Sequence, residues 1–258
     1  MPQAVIVGHD SQLGKMIGDY FDVEGWNVLG TTRRKNDLSP ERFFLDSLDS
    51  GSINAAVSQI LKTSQDWDVL VLATGSLTPI GKFTEVDFNE WRKSIEVNFL
   101  SQIEFITEVL RHTPDSVGKT RRVITFAGSG TNSAPENFSA YTISKIALIK
   151  SMELLAVEYP QVIFLSLGTG WMKSPIHQQT LQAGKLAGDA LDETRRRLHS
   201  NDFGDPELLI DFIKWFLTID DPRISGRNIA LQGDAWKSLG FIESLTSSDD
   251  SYKLRRFR

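Results

Sequence analysis

A doubly wound α/β sandwich with a mostly parallel central sheet is the fold class this sequence predicts, and two observations predict it. Short apolar runs without polar alternation recur along the chain, and longer helix-like segments separate them. A strand that is apolar at every position needs cover on both faces, and β–α alternation supplies that cover with parallel pairing. No internal repeat or low-complexity linker interrupts the pattern, so residues 1–258 read as a single domain.

The first buried strand is Ala4-Val-Ile-Val7, followed by a turn and an amphipathic stretch through Phe21. Asn27-Val-Leu-Gly30 is the second strand, and Ile53 to Leu61 is a helix. Asp68-Val-Leu-Val-Leu-Ala73 is a strand, and Trp91 to Leu110 is a long helix. Arg122-Val-Ile-Thr-Phe126 precedes a second long helix, Tyr141 to Glu158. Val162 to Leu167 is a strand, Asp205 to Leu217 is helical, and Asn228 to Gln232 closes the sheet. In such sheets ligands bind beyond the carboxyl ends of the strands, where the strand order reverses.

Composition narrows the function. A formal charge of -5 gives no support for nucleic-acid binding, which uses a basic face. The basic end, Lys253 to Arg258, reads as a solvated or interface tail. Zero cysteines exclude disulfides and thiolate chemistry. The four histidines show no metal-ligand spacing, so no metal is expected. With no leader and no apolar stretch of membrane-spanning length, the expectation is a cytoplasmic protein.

Two places carry nucleotide chemistry. The first strand runs into Gly8-His-Asp-Ser-Gln-Leu-Gly14 and then a helix, whose open N–H groups and positive dipole end suit a pyrophosphate. The second strand ends Thr31-Thr32-Arg33-Arg34-Lys35, with three cations and no carboxylate. An acidic residue there would select NAD, whereas arginine forks match a 2′-phosphate, so NADP(H) is preferred over NAD(H). A third place is Tyr141 and Lys145, four residues apart and therefore on one helix face. A phenol beside an ammonium can donate a proton to a carbonyl, because the cation favours the phenolate left behind. The spacing alone is more often that of a solvated helix face.

Taken in order, these motifs resemble the short-chain dehydrogenase/reductase family, and the resemblance covers nearly the whole chain. Gly8 and Gly14 match its glycine-rich turn, with Gln12 in place of the middle glycine. Asp46 matches its adenine contact, and Leu72-Ala73-Thr-Gly75 is a degraded form of its Asn-Asn-Ala-Gly. Asn98 matches its helix asparagine, and Tyr141 and Lys145 match its Tyr-x-x-x-Lys. Thr169-Gly170-Trp-Met172-Lys-Ser174 resembles the segment beside the nicotinamide, and Ser225 to Gly233 resembles its last strand. The family's serine position falls on Gly128, so Ser129, one residue on, is the candidate for that role.

The resemblance implies a Rossmann-type NADP-dependent oxidoreductase acting on a small-molecule carbonyl or alcohol. Tyr141 would donate the proton, Lys145 would hold ribose hydroxyls and lower the phenol's pKa, and Ser129 would polarise the carbonyl. Asn98 would bind a backbone carbonyl or a water leading protons to solvent. Cofactor contacts would come from Gly8, Asp10, Ser11, Leu13, Gly14, Thr32, Arg33, Arg34, Asp46, Ala73, Gly75, Tyr141, Lys145, Thr169, Gly170, Met172 and Ser174. Residues at about 173–204 form a variable substrate flap, in which Arg195 to Arg197 are either an acid-binding cluster or a charged helix face. The family pairs subunits through its two long helices, which implies a homodimer or homotetramer. A cofactor-binding regulatory or scaffold protein of the same fold, with little turnover, is the other reading, motivated by Gln12, the lost asparagines and Gly128.

Overall fold

The computed structural model describes residues 1–114, 118–246 and 250–256. Among them seven strands form one sheet: β1 (Gln3–Val7), β2 (Asn27–Thr32), β3 (Arg42–Phe44), β4 (Val69–Leu72), β5 (Arg121–Phe126), β6 (Val162–Gly168) and β7 (Arg227–Ala230). Their order is β3-β2-β1-β4-β5-β6-β7, and every neighbouring pair is parallel. The chain runs outward from β1 to β3, then returns to lay β4 on the other side of β1. That reversal puts the crevice for a ligand at the carboxyl ends of β1 and β4.

Alternating side chains explain why the runs of β1 and β4 are apolar at successive positions. In β1, Ala4 and Ile6 enter one core while Val5 and Val7 enter the other. In β4, Val69 and Val71 divide from Leu70 and Leu72 in the same way. The first core is covered by α1 (Gln12–Val23) and α8 (Pro206–Leu217), through Ile17, Phe21, Leu209 and Phe212. The second is covered by α2 (Ser50–Thr63), α4 (Ser101–His112) and α5 (Ser139–Glu158), through Ile60, Phe105, Leu148 and Met152.

The structure departs from the expected elements at three places. β3 pairs Phe43 with Thr31 at the sheet edge; its three residues are too few to carry a periodic signal. The helix expected over Trp91–Leu110 is α3 (Phe88–Ile95) and α4 joined by a π-helical turn, Glu96–Leu100, which holds Asn98 fully buried. Asp87 starts α3 by accepting from the amides of Asn89 and Glu90. The segment 173–204 folds into α6 (His177–Ala183) and α7 (Asp189–Ser200), with a single 3₁₀ turn between them.

A short helix, α9 (Phe241–Ser244), follows β7. In the basic tail, Arg255 pairs with Glu153 of α5 and Asp250; Phe257 and Arg258 lie outside the described residues. Among the described residues no helix is long and apolar enough to cross a membrane.

Candidate active site

The Gly8–Gly14 turn, Arg33 and Arg34, Asp46, Ala73 to Gly75 and Thr169 to Ser174 each follow the carboxyl end of a strand. Tyr141 and Lys145 open the helix after β5, so these motifs lie at one edge of the sheet. Gly8 leaves β1 at a φ of +77°, a left-handed conformation that suits glycine. Its amide donates to Thr31 Oγ1 at 3.0 Å, tying the turn to β2. Ser11 caps α1, its Oγ accepting from the Gly14 amide at 3.0 Å. A Cβ on Gly14 would collide with the Gly8 carbonyl, so the helix starts as close to the turn as backbone allows. The amides of Gln12 and Leu13 have no preceding helical carbonyl and remain open to an anion.

Beneath this turn lies a residue the sequence did not single out for a role. The His9 ring is wedged between α1 and β2, where a Cβ on Gly18 or Gly30 would strike it. Arg42 Nη2 donates to His9 Nε2 at 2.8 Å. Burial, and then the neighbouring Arg42, lower the imidazole pKa, so His9 is a neutral acceptor bracing the turn.

At the end of β2, Thr32 is buried and its Oγ1 accepts from the Arg34 amide at 3.0 Å. Arg33 and Arg34 then face solvent. Arg34 lies 3.8 Å from Asp10 and 3.6 Å from Asp37, while Arg33 makes no ion pair among the described residues. Asp46, half-buried after β3, takes the Leu48 amide on Oδ1 at 3.0 Å. Ala73 is buried after β4, and Thr74, Gly75 and Ser76 follow it into the crevice.

That loop is held from behind by two amides on one helical face. Asn98 Oδ1 accepts from the Ser76 amide at 2.8 Å, and Asn98 Nδ2 donates to the Ser76 carbonyl at 2.8 Å. Gln102, one turn on and 1% exposed, donates Nε2 to the carbonyls of Thr74 and Asn98, each at 3.2 Å. Gln102 was missed, although its i, i+4 relation to Asn98 was visible in the sequence.

Tyr141 and Lys145 sit on the first turns of α5, 8% and 4% exposed. Lys145 Nζ donates to the Phe126 carbonyl at the end of β5 at 3.0 Å, and stands 5.9 Å from the Tyr141 ring centre. Burial pushes the phenol up to about 12 and pulls the ammonium down to about 8. The phenol therefore moves opposite to the lowering expected from an adjacent cation. Desolvation by burial is the cause of that shift. The loop 128–130 lies flat on that helix turn: a Cβ on Gly128 would be 2.6 Å from the Tyr141 hydroxyl, and one on Gly130 2.9 Å from Thr142 Oγ1. Ser129, between them, is exposed and makes no hydrogen bond among the described residues, so the structure does not bring its hydroxyl onto the pair.

After β6, Thr169 is buried, Gly170 turns with a φ of +68°, and the Met172 amide returns to the Gly170 carbonyl at 3.1 Å. Ser174 Oγ accepts from the Ile176 amide at 3.4 Å. Trp171 packs the turn, stacked 4.7 Å from His177 with Arg197 at 5.0 Å from its ring. Arg195 pairs with Asp192, and Arg196 and Arg197 both pair with Glu193 and Asp202, which is the charged-face arrangement of those arginines. The flap docks through Gln179, whose Oε1 accepts from the Leu77 amide at 2.7 Å and from Ser76 Oγ at 3.3 Å. Among the described residues no three histidine, aspartate or glutamate side chains gather as a metal site.

Comparison with known proteins points the same way. Residues 2–184 match the family model described as short chain dehydrogenase. An uncharacterised oxidoreductase of Schizosaccharomyces pombe is 24% identical over 187 residues, covering 71% of this chain and 72% of that protein. A short chain dehydrogenase/reductase from Saccharomyces cerevisiae superposes with a TM-score of 0.77 at 20% identity, covering 92% of this chain and 98% of that one. An actinorhodin polyketide ketoreductase solved with NADPH superposes with a TM-score of 0.76 at 17% identity, covering 89% and 95%.

Proposed function

The chain belongs to the short-chain dehydrogenase family and is an oxidoreductase of that family, and from that premise we propose that it is a cytoplasmic NADP(H)-dependent reductase of carbonyl compounds. The observation that carries the reading is the buried Tyr141–Lys145 pair, one turn apart at the carboxyl edge of the sheet. Relatives described as oxidoreductases favour turnover over the scaffold reading.

The residues present fit a dinucleotide by the chemistry of their donors. The open amides of α1 suit a pyrophosphate, with Gly8, Asp10, Ser11, Leu13 and Gly14 forming the turn around it. The exposed guanidinium groups of Arg33 and Arg34 beside Thr32 suit a 2′-phosphate. Asp46 would meet the adenine, Ala73 and Gly75 the adjoining ribose, and Thr169, Gly170, Met172 and Ser174 the nicotinamide end. The chemistry supplied by a bound nicotinamide is hydride transfer to the carbonyl carbon.

The chain's own work is proton delivery and exclusion of water. A phenol held near 12 carries its proton at neutral pH, which leaves Tyr141 able to serve as general acid for the developing alkoxide. Lys145 keeps N–H donors beyond the one given to Phe126, and these hold ribose hydroxyls beside the phenol. Asn98 and Gln102 keep the 74–76 loop in place. Ser129 takes part in polarising the carbonyl only if its loop turns inward by one residue. The exposed Ile143, Leu154 and Val157 of α5 support a homodimer or homotetramer paired through the long helices.

The test is NADPH consumption over a carbonyl panel by wild type and Tyr141→Phe. Loss of turnover with retained NADPH binding in the variant is the expected result. Full activity in that variant would remove Tyr141 from the acid role.

A further inference from the structure

The surroundings of the Tyr141 phenol carry information about substrate that the family does not. Tyr141 belongs to a small apolar cluster separate from the two sheet cores, built with Leu77, Ile80, Phe138, Ala187 and Leu191. Three segments contribute: the loop after β4, the entry to α5, and the flap. Ile176 and Leu181 of the flap pack on its margin. Whatever reaches the phenol has to take the place of these side chains or lie against them.

The flap's arginines, which could greet an acidic substrate, are committed elsewhere. Arg195, Arg196 and Arg197 are tied to Asp192, Glu193 and Asp202. Lys173 reaches Asn201 at 3.3 Å and lies over Phe203. His177 Nε2 is held at 2.8 Å from the Met172 carbonyl, and Lys185 and His199 face solvent. Lys145, beside the phenol, is buried and donates to the Phe126 carbonyl. Glu136 lies at the flap edge, close to Gly188, and would repel an anion. A carboxylate or phosphate carried among Leu77, Ile80, Phe138 and Leu191 would lose its water against side chains that return no hydrogen bond.

We propose that the substrate of this site is an uncharged, apolar carbonyl compound, such as a medium-chain or aryl ketone or aldehyde, whose body replaces flap side chains against Leu77, Ile80, Phe138 and Leu191. The proposal rests on the reductase reading above. In the reaction the carbonyl carbon gains hydride from NADPH, which is oxidised to NADP+, and the oxygen gains its proton from Tyr141.

A matched pair tests it: 2-octanone and 2-oxooctanoate share the reacting ketone and alkyl chain and differ by a carboxylate. NADPH oxidation is followed with each, and each is titrated calorimetrically into the enzyme with NADP+. The expected result is a kcat/KM for the ketone about 100-fold above that for the acid. Leu181→Arg, at the margin of the cluster, is expected to narrow that ratio by about tenfold. Equal or better turnover of the acid overturns the substrate class and leaves the reductase reading standing. Binding of the ketone alone, with no oxidation of NADPH, supports the apolar recognition and sinks the reductase reading. Binding of neither compound overturns the recognition itself.

Discussion

The Tyr141 hydroxyl lies where a side chain on Gly128 would have to begin: a Cβ there would be 2.6 Å from the phenol oxygen and 2.7 Å from Lys145 Cγ. The glycine at the family's serine position is thus sterically coupled to the two residues that carry the chemistry. The phenol occupies space that a serine would otherwise claim, and Ser129 is left on the outer side of the loop.

Gly128→Ala should therefore destabilise the protein through overpacking, by about 1–3 kcal/mol. In a chain of this size that lowers Tm by several degrees, at roughly 2–4 °C per kcal/mol. Thermal melts of Gly128→Ala and Gly128→Ser measure this directly. A serine variant that melts normally and turns over faster would mean that the loop readily makes room for a serine.

The pH dependence of the pair has a definite sign. Lys145 titrates near 8 in the folded protein against an ordinary 10.5, and Tyr141 near 12 against 10. Loss of the Lys145 proton should weaken NADPH binding as pH rises through about 8, while the phenol stays protonated throughout. For stability, the depressed lysine burdens the fold below pH 8, and that burden lifts between about 8 and 10.5. The raised tyrosine contributes stability that is complete below pH 10 and lost through about 12. NADPH affinity against pH for wild type and Lys145→Arg checks the first statement, because arginine should abolish the limb near 8. A limb that persists in Lys145→Arg belongs to another group.

Replacing Arg33 and Arg34 together by alanine should raise the NADPH Kd by roughly 10- to 100-fold, since each charge-assisted bond is worth about 1.5–3 kcal/mol before screening. NADH affinity should stay within about twofold. Fluorescence titration with both nucleotides decides it, and parallel losses would remove the phosphate role.

Gln179 is the polar link between flap and crevice at Ser76 and Leu77. Gln179→Ala should loosen the flap, with tryptic cleavage after Lys173 and Lys185 accelerating by about fivefold at unchanged Tm. Unchanged cleavage would show that the apolar cluster and the Asn137–Leu186 hydrogen bond suffice to hold the flap down.

Much of this could be read from residue order. The runs at Ala4 and Val69 announce buried parallel strands because each alternate side chain has its own core to enter. Gly8 and Gly14 mark the turn because the helix must begin against the Gly8 carbonyl. Asn98 stood out by its motif, but the π-helical turn that carries it did not, since α and π turns share composition. Gln102 and His9 were passed over because their partners, Thr74 and Arg42, are distant in the chain.

Local sequence determined the fold class, the family, and the spacing of Tyr141 and Lys145, since periodicity and motif spacing depend on neighbours along the chain. Tertiary structure decided the rest. It closed the flap on the phenol, tied Arg196 and Arg197 to Asp202, and turned Ser129 outward. It also moved the phenol upward in pKa, because burial depends on what the folded chain packs against a group and not on the residues beside it.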